Sequence, residues 1–144
     1  MTKKVLVAVD GSESGERAIK YAAEAASQSG DTLVLAYVID WTPYSFHTAE
    51  ELAERHRRRE SEISRAQESL LQPAANRIQN QGIQVEMVVR HGHIGETLSE
   101  IGREYEVRQV YIGRRGESRM SAMLFGSVTA SLIQTSSVPV TVVP

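Results

Sequence analysis

A chain of 144 residues with 41% hydrophobic and 24% charged side chains is sized for one domain with a core of ordinary extent. Lysine and arginine total 16 against 18 aspartates and glutamates, a formal charge of -2, so there is no general basic field to draw nucleic acid or a membrane surface, and any polyanion must be held locally. Cysteine is absent, which excludes disulfides, thiol catalysis and cysteine-ligated metals.

"KVLVAV" (residues 4–9) is a continuous valine-rich run, the pattern of a strand buried on both faces, and it ends in Asp10-Gly11-Ser12. It is too short for a signal peptide or a membrane span, so a cytoplasmic location without membrane embedding is expected. Ser12 is placed to cap a helix. Glu13 and Glu16 suit its positive end, Ala18, Ile19, Ala22, Ala23 and Ala26 recur at helical spacing, and Gly30 stops it. "TLVLAYVID" (32–40) reads as a second strand, "IQVEMVVR" (83–90) as a third, "VRQVYIG" (107–113) as a fourth and "VPVTVV" (138–143) as a fifth.

The segment 41–81 is long for one crossover. "WTPYSFH" reads as a loop and 49–81 as mainly helix, in which Pro73 forces either a kink near Leu70 or a restart with Pro73 in the first turn. Further helices are expected over 94–105, with Ile94, Leu98 and Ile101 on one face, and over 127–135, with Val128, Leu132 and Ile133. Strands alternating with helices imply βα units, right-handed crossovers and a parallel α/β sheet. Ligands of such sheets bind beyond the carboxyl ends of the strands, which directs attention to Asp10-Gly11-Ser12, to residues 38–41 and to the loop after the fourth strand.

That loop is "GRRGESRMSAMLFGSV" (113–128). Gly113 and Gly116 let backbone approach a ligand without obstruction by Cβ, and Gly126-Ser127 opens a helix whose amides and dipole favour an anion. The plainer alternative is a tight turn. No Gly-Lys-Ser/Thr ending is present, so this is not a Walker A loop, and Gly11 alone does not make a dinucleotide fingerprint. Arg114, Arg115 and Arg119 could add charge beside a phosphate, Arg115 being the candidate retained, although loop arginines are more often solvated.

Three other features have structural alternatives. Trp41, Tyr44 and Phe46 either cover a ligand, bury themselves against a partner or pack beneath their own loop. His91 and His93 lack the cysteine or carboxylates that would complete a metal site, and are expected to shape the turn into the following helix. "RHRRRESEISR" (55–65) interleaves Glu60 and Glu62 with its basic residues, the pattern of a solvated helix face, with docking of an acidic partner as the alternative.

Gly113-x-x-Gly116, nine residues, then Gly126-Ser127 resembles the nucleotide-binding signature of the universal stress protein family. The likeness covers nearly the whole chain: "KKVLVAVDGSESGERAIKYA" resembles that family's opening, "LVLAYVID" its second strand, "QVYIGRRG" its fourth and "GSVTASLIQTSSVPVTVV" its ending. The resemblance implies a single Rossmann-like domain with an open five-stranded parallel sheet in the order 3-2-1-4-5 and helices on both faces. It also implies ATP as ligand, with Mg, and a homodimer paired through the last strand from Val138 to Val143, with higher oligomers open. The implied role is nucleotide-dependent regulation in stress response, beside a protein partner such as a transporter.

Carried over position by position, the resemblance sets Asp10 at the ribose and the backbone of Val38 and the strand end at Ile112 around the adenine. Gly113 falls beside the ribose, and Gly116, Gly126, Ser127 and Val128 at the phosphates. Gln109 departs from the family, many of whose members have aspartate there. The alternatives are a slow ATP hydrolase or phosphotransferase, which needs a base and a metal-positioning carboxylate at the terminal phosphate, or a dimeric interaction module without nucleotide. A phosphoacceptor receiver is disfavoured, since "VVRHG" ends strand three without aspartate and "VPVTVVP" lacks lysine. Neither a catalytic nor a metal-ligating residue is expected.

Overall fold

Residues 5–8 of the first strand are all buried, as an unbroken apolar run requires when helices cover both faces of a parallel sheet. The structure, a computed structural model, describes residues 2–40, 48–115 and 126–144. Strands β1 (Lys4–Ala8), β2 (Thr32–Asp40), β3 (Val85–Gly92), β4 (Val110–Gly113) and β5 (Val140–Val143) form one sheet, every pair parallel, in the order β3-β2-β1-β4-β5. The helices are α1 (Glu13–Ser29), α2 (Ala49–Ala66), α3 (Gln72–Gln79), α4 (Ile94–Glu104) and α5 (Ser127–Thr135).

The pleat of β1 divides the core into two layers. Val5, Val7 and Val9 pack with Ala18, Ala22 and Ala26 of α1 and with Leu71, Ala75 and Ile78, while Leu6 and Ala8 pack with Leu98, Ile101 and Leu132 of α4 and α5. Alanine along the inner face of α1 lets the helix lie close to the sheet, and each fully buried leucine contributes about 1.5–3 kcal/mol. Ser12 caps α1 by accepting from the Gly15 amide, and Gly30 closes it at φ 80, in the left-handed region that glycine occupies without strain.

Several boundaries differ from the expectation. β3 runs on to Gly92, so His91 lies inside the strand rather than in the turn after it. β4 begins at Val110, because the chain first turns through Glu106 at φ 53 before burying Val107. β5 begins at Val140, since Pro139 has no N–H to give the ladder; its carbonyl still accepts from the Val110 amide at 3.0 Å. Ile133 is 45% exposed, outside the narrow arc of α5 that buries Thr129 and Leu132.

The long crossover resolves Pro73 by a restart. A π turn over Gln67–Leu71 separates α2 from α3 and sets Pro73 in the first turn of α3. The backbone stays right-handed helical from Ala66 through Gln72, and the widened turn accommodates the residue that has no N–H to give.

Asp31, buried at the foot of β2, is held by Arg108 through both Nε and Nη2. Arg108→Ala strands that carboxylate, so urea denaturation is expected to show a loss of about 1–3 kcal/mol. Arg90 of β3 pairs with Glu104 of α4, and this hydrogen bond holds the Glu104 carboxyl below the usual carboxylate range. Gln109, the departure from the family pattern, donates to Thr141 Oγ1 and so ties β4 to β5. Among the described residues no helix is long and apolar enough to cross a membrane.

Candidate functional site

The carboxyl ends of β1 and β4 lie side by side, and α1 starts directly above them. Asp10 folds back over the first turn of α1, where its Oδ1 accepts from the Ser12 amide at 2.9 Å and the Ser12 hydroxyl at 2.6 Å. Among the described residues Oδ2 makes no hydrogen bond. The packing depends on Gly15, where a Cβ would stand 2.5 Å from Asp10 Oδ1. Asp10 thus has the turn role that its position permits, and a second carboxylate oxygen left for a ligand hydroxyl.

Gly113 serves the same junction. A Cβ there would meet Ser14 Oγ at 2.5 Å, Ser14 C at 2.7 Å and the Gly15 nitrogen at 2.8 Å, so the end of β4 touches the backbone of α1. Ser14 Oγ donates to the Val143 carbonyl at 3.1 Å, and the Arg114 amide donates to the same carbonyl at 2.7 Å. The backbone of Arg115 lies 3.4 Å from the hydroxyls of both Ser12 and Ser14, long contacts that keep the glycine loop beside the β1–α1 loop. At the far end of that loop the Gly126 amide donates to the Arg114 carbonyl at 3.1 Å, and Thr129 Oγ1 donates to the Gly113 carbonyl at 2.8 Å. The two ends of the loop are therefore pinned together.

Gly126 is the N-cap of α5 and has no side chain to cap with, and His93, the N-cap of α4, makes no side-chain cap hydrogen bond either. The first-turn amides of a helix have no partner within it and carry the positive end of its dipole. Both amino ends open on one cavity of 380 Å³, lined by Ser127, Val128 and Ser131 of α5 and by His93, Ile94, Gly95 and Glu96 of α4, with Asp40 at its rim. By contrast α1 and α2 are capped by the side chains of Ser12 and Thr48. Gly95 lets these helices approach, since a Cβ there would stand 2.4 Å from Ser131 Oγ.

Val38 and Ile112 bury their side chains in the core layer of α4 and α5, so only their backbone can face a ligand. Ala36 turns its carbonyl to β1, accepting from the Val9 amide at 2.8 Å. Two residues on, the period-two pleat turns Val38 the same way, past the last residue of β1. Asp10, Gly113, Arg115, Gly126, Ser127 and Val128 thus gather at one end of the sheet. Gly116 and Arg119 lie outside the described residues, as do Trp41, Tyr44 and Phe46.

Sequence reasoning missed Ser14, Gly15 and Thr129, which build the junction, and Asp40, which brings negative charge to the cavity. A glycine in the first turn of α1, where helix propensity argues against it, was the available signal for Gly15. Among the described residues no group of three or more His, Asp or Glu side chains could hold a metal ion.

A model of the universal stress protein family matches residues 1–144. Among curated proteins the chain is similar to Universal stress protein YxiE of Bacillus subtilis, 25% identical with 99% of each chain covered. It is also similar to a universal stress protein of Mycolicibacterium smegmatis, 27% identical with 96% of this chain covered, and it spans 47% of that protein's length. Among solved structures, universal stress protein UspA from Lactobacillus plantarum aligns with a TM-score of 0.83 at 19% identity, covering 99% of this chain and 97% of that one. The same fold is shared by a universal stress protein in complex with cAMP (TM-score 0.70, 24% identity, 99% and 96% covered) and by one from Archaeoglobus fulgidus in complex with dAMP (0.63, 20%, 100% and 98%).

Proposed function

Given that the chain belongs to the universal stress protein family, we propose that it is a regulatory module that binds an adenine nucleotide, ATP, at the carboxyl end of its sheet. The observation that carries this reading is the cavity where the uncapped amino ends of α4 and α5 meet, at the same end of the sheet as Asp10. Backbone amides of Ser127 and Val128 donate to phosphate oxygens, the Ser127 hydroxyl adds a donor, and Asp10 accepts from the sugar hydroxyls. The backbone of Val38 meets the adenine. Relatives of the same fold in complex with cAMP and with dAMP support the ligand class.

Asp40 and Glu96 line the same cavity and repel an uncompensated triphosphate, so ATP enters with magnesium carried on its own phosphates. The role is binding rather than turnover. Regulation follows if the nucleotide binds two conformations or two assembly states unequally, because a ligand shifts an equilibrium only by its difference in affinity. β5 is one of the two edge strands, with Val140, Thr141 and Val142 only partly covered, which suits pairing with the same strand of a second copy.

Thermal denaturation in the presence of nucleotides tests the reading. A ligand at about 100 times its Kd stabilises by about 2.7 kcal/mol, so millimolar Mg-ATP is expected to raise the melting temperature by several degrees. Unchanged melting with every adenine nucleotide contradicts it.

A further inference from the structure

A second cavity of 380 Å³ opens at Asp10, between the ends of β1 and β2 and the carboxyl-terminal half of α2. Its walls are Asp10 and Gly11 on one side, Glu62, Arg65 and Ser69 on the other, with Tyr37, Ile39 and Leu70 as an apolar floor. We propose that α2 is the second wall of the nucleotide site, and that His91 is the positioning residue that keeps it in place. The inference rests on the nucleotide-binding reading and names the element through which binding is reported.

Helix α2 is held unlike its neighbours. It has no buried residue, whereas Leu71, Ala74, Ala75 and Ile78, just beyond it, are fully in the core. The chain is therefore anchored after the π turn and only lightly attached before it, and that turn lies where a hinge would be needed. His91 ties the last two turns of α2 to the sheet, its Nε2–H donating to Glu62 Oε2 at 2.9 Å. The imidazole is 14% exposed and rises from β3 on the side of α2, so its direction is fixed by the strand.

The chemistry of the walls fits the sugar half of a nucleotide. Asp10 and Glu62 are hydroxyl acceptors, Arg65 is a donor, Ser69 Oγ, which donates its own hydrogen to the Arg65 carbonyl at 2.6 Å, can only accept, and the floor is apolar enough to pack a ring. A nucleotide bound at Asp10 touches Glu62 and Arg65 only when α2 is docked, so binding selects the docked state and shields the helix. A bare strut between His91 and Glu62 would leave α2 indifferent to the ligand.

The test is hydrogen exchange of residues 49–66 in the full chain, with and without saturating Mg-ATP, beside calorimetry of the same samples. Mg-ATP is expected to slow exchange across α2 at least tenfold, beyond any change in α4. His91→Ala is expected to weaken binding about tenfold, the loss of one charge-assisted hydrogen bond, with most of the slowing gone. His91→Gln, which keeps an N–H donor, should recover part of both. If His91→Ala does not fold, Glu62→Ala, on the half-exposed partner, decides instead. Binding with unaltered exchange over 49–66, or wild-type affinity in both variants, overturns the inference and leaves the nucleotide site standing. No heat with Mg-ATP overturns both.

Discussion

Gly113→Ala is expected to lower the melting temperature by about 10 °C. The new Cβ meets Ser14 C at 2.7 Å and the Gly15 nitrogen at 2.8 Å, and these are backbone atoms in the first turn of α1 that no rotamer change can move. Relief requires α1 to lift from β4, which pulls Ser14 away from the Val143 carbonyl and disturbs the pinned ends of the glycine loop. Overpacking of this kind costs about 1–3 kcal/mol, and the lost hydrogen bonds place the total toward the upper end. Thermal denaturation followed by circular dichroism measures it. A shift below about 2 °C would mean that the contact between α1 and β4 gives way easily.

Ser127→Asp separates binding from stability, because the two respond with opposite sign. Ser127 is an exposed residue in the first turn of α5, where a carboxylate meets the positive end of the helix dipole. The fold is expected to hold or to gain about 0.3–1 kcal/mol. The same carboxylate stands where the proposed site puts the phosphates, in the cavity it shares with Asp40 and Glu96, and it replaces a hydroxyl donor by a negative charge. Affinity for Mg-ATP is expected to fall by about a hundredfold, equivalent to 2.7 kcal/mol. A folded variant that binds as tightly as wild type would remove the phosphates from α5.

Much of the fold was legible because its signals are local and redundant. The valine runs of β1, β2 and β5 admit few readings, Ser12 and Gly30 mark both ends of α1, and the alternation of strands and helices fixes a parallel sheet. The observed order β3-β2-β1-β4-β5 is the one that the family resemblance implied. What was less legible depends on contacts between distant residues. That β3 continues through His91 follows from its pairing along the full length of β2, with Ile39 opposite His91 and Asp40 opposite Gly92, which no local pattern announces. Ile133 looks like a core residue by type, but α5 buries only Thr129 and Leu132, and a hydrophobic side chain beside a narrow arc stays exposed.

The candidate site divides in the same way. Asp10, Gly126 and Ser127 could be picked out as chemistry at the end of a strand or the start of a helix. The role of Gly113 could not: it reads as a glycine that makes room for a ligand, whereas the space is taken by Ser14 and Gly15. Its conformation is ordinary strand, so the reason for glycine lies in tertiary packing with a residue about a hundred positions earlier. The link from His91 to Glu62 is likewise invisible in a sequence where the two residues are 29 apart and each looks like surface.

The most direct measurement is a calorimetric titration of nucleotide-free protein with Mg-ATP, with AMP as the comparison. Saturable heat with ATP, and weaker binding of AMP, are predicted, because the amides of α5 read the phosphates that AMP lacks. Absence of heat with both nucleotides, in protein shown to be folded and empty, would contradict the nucleotide site and leave Gly113 with the packing of α1 as its purpose.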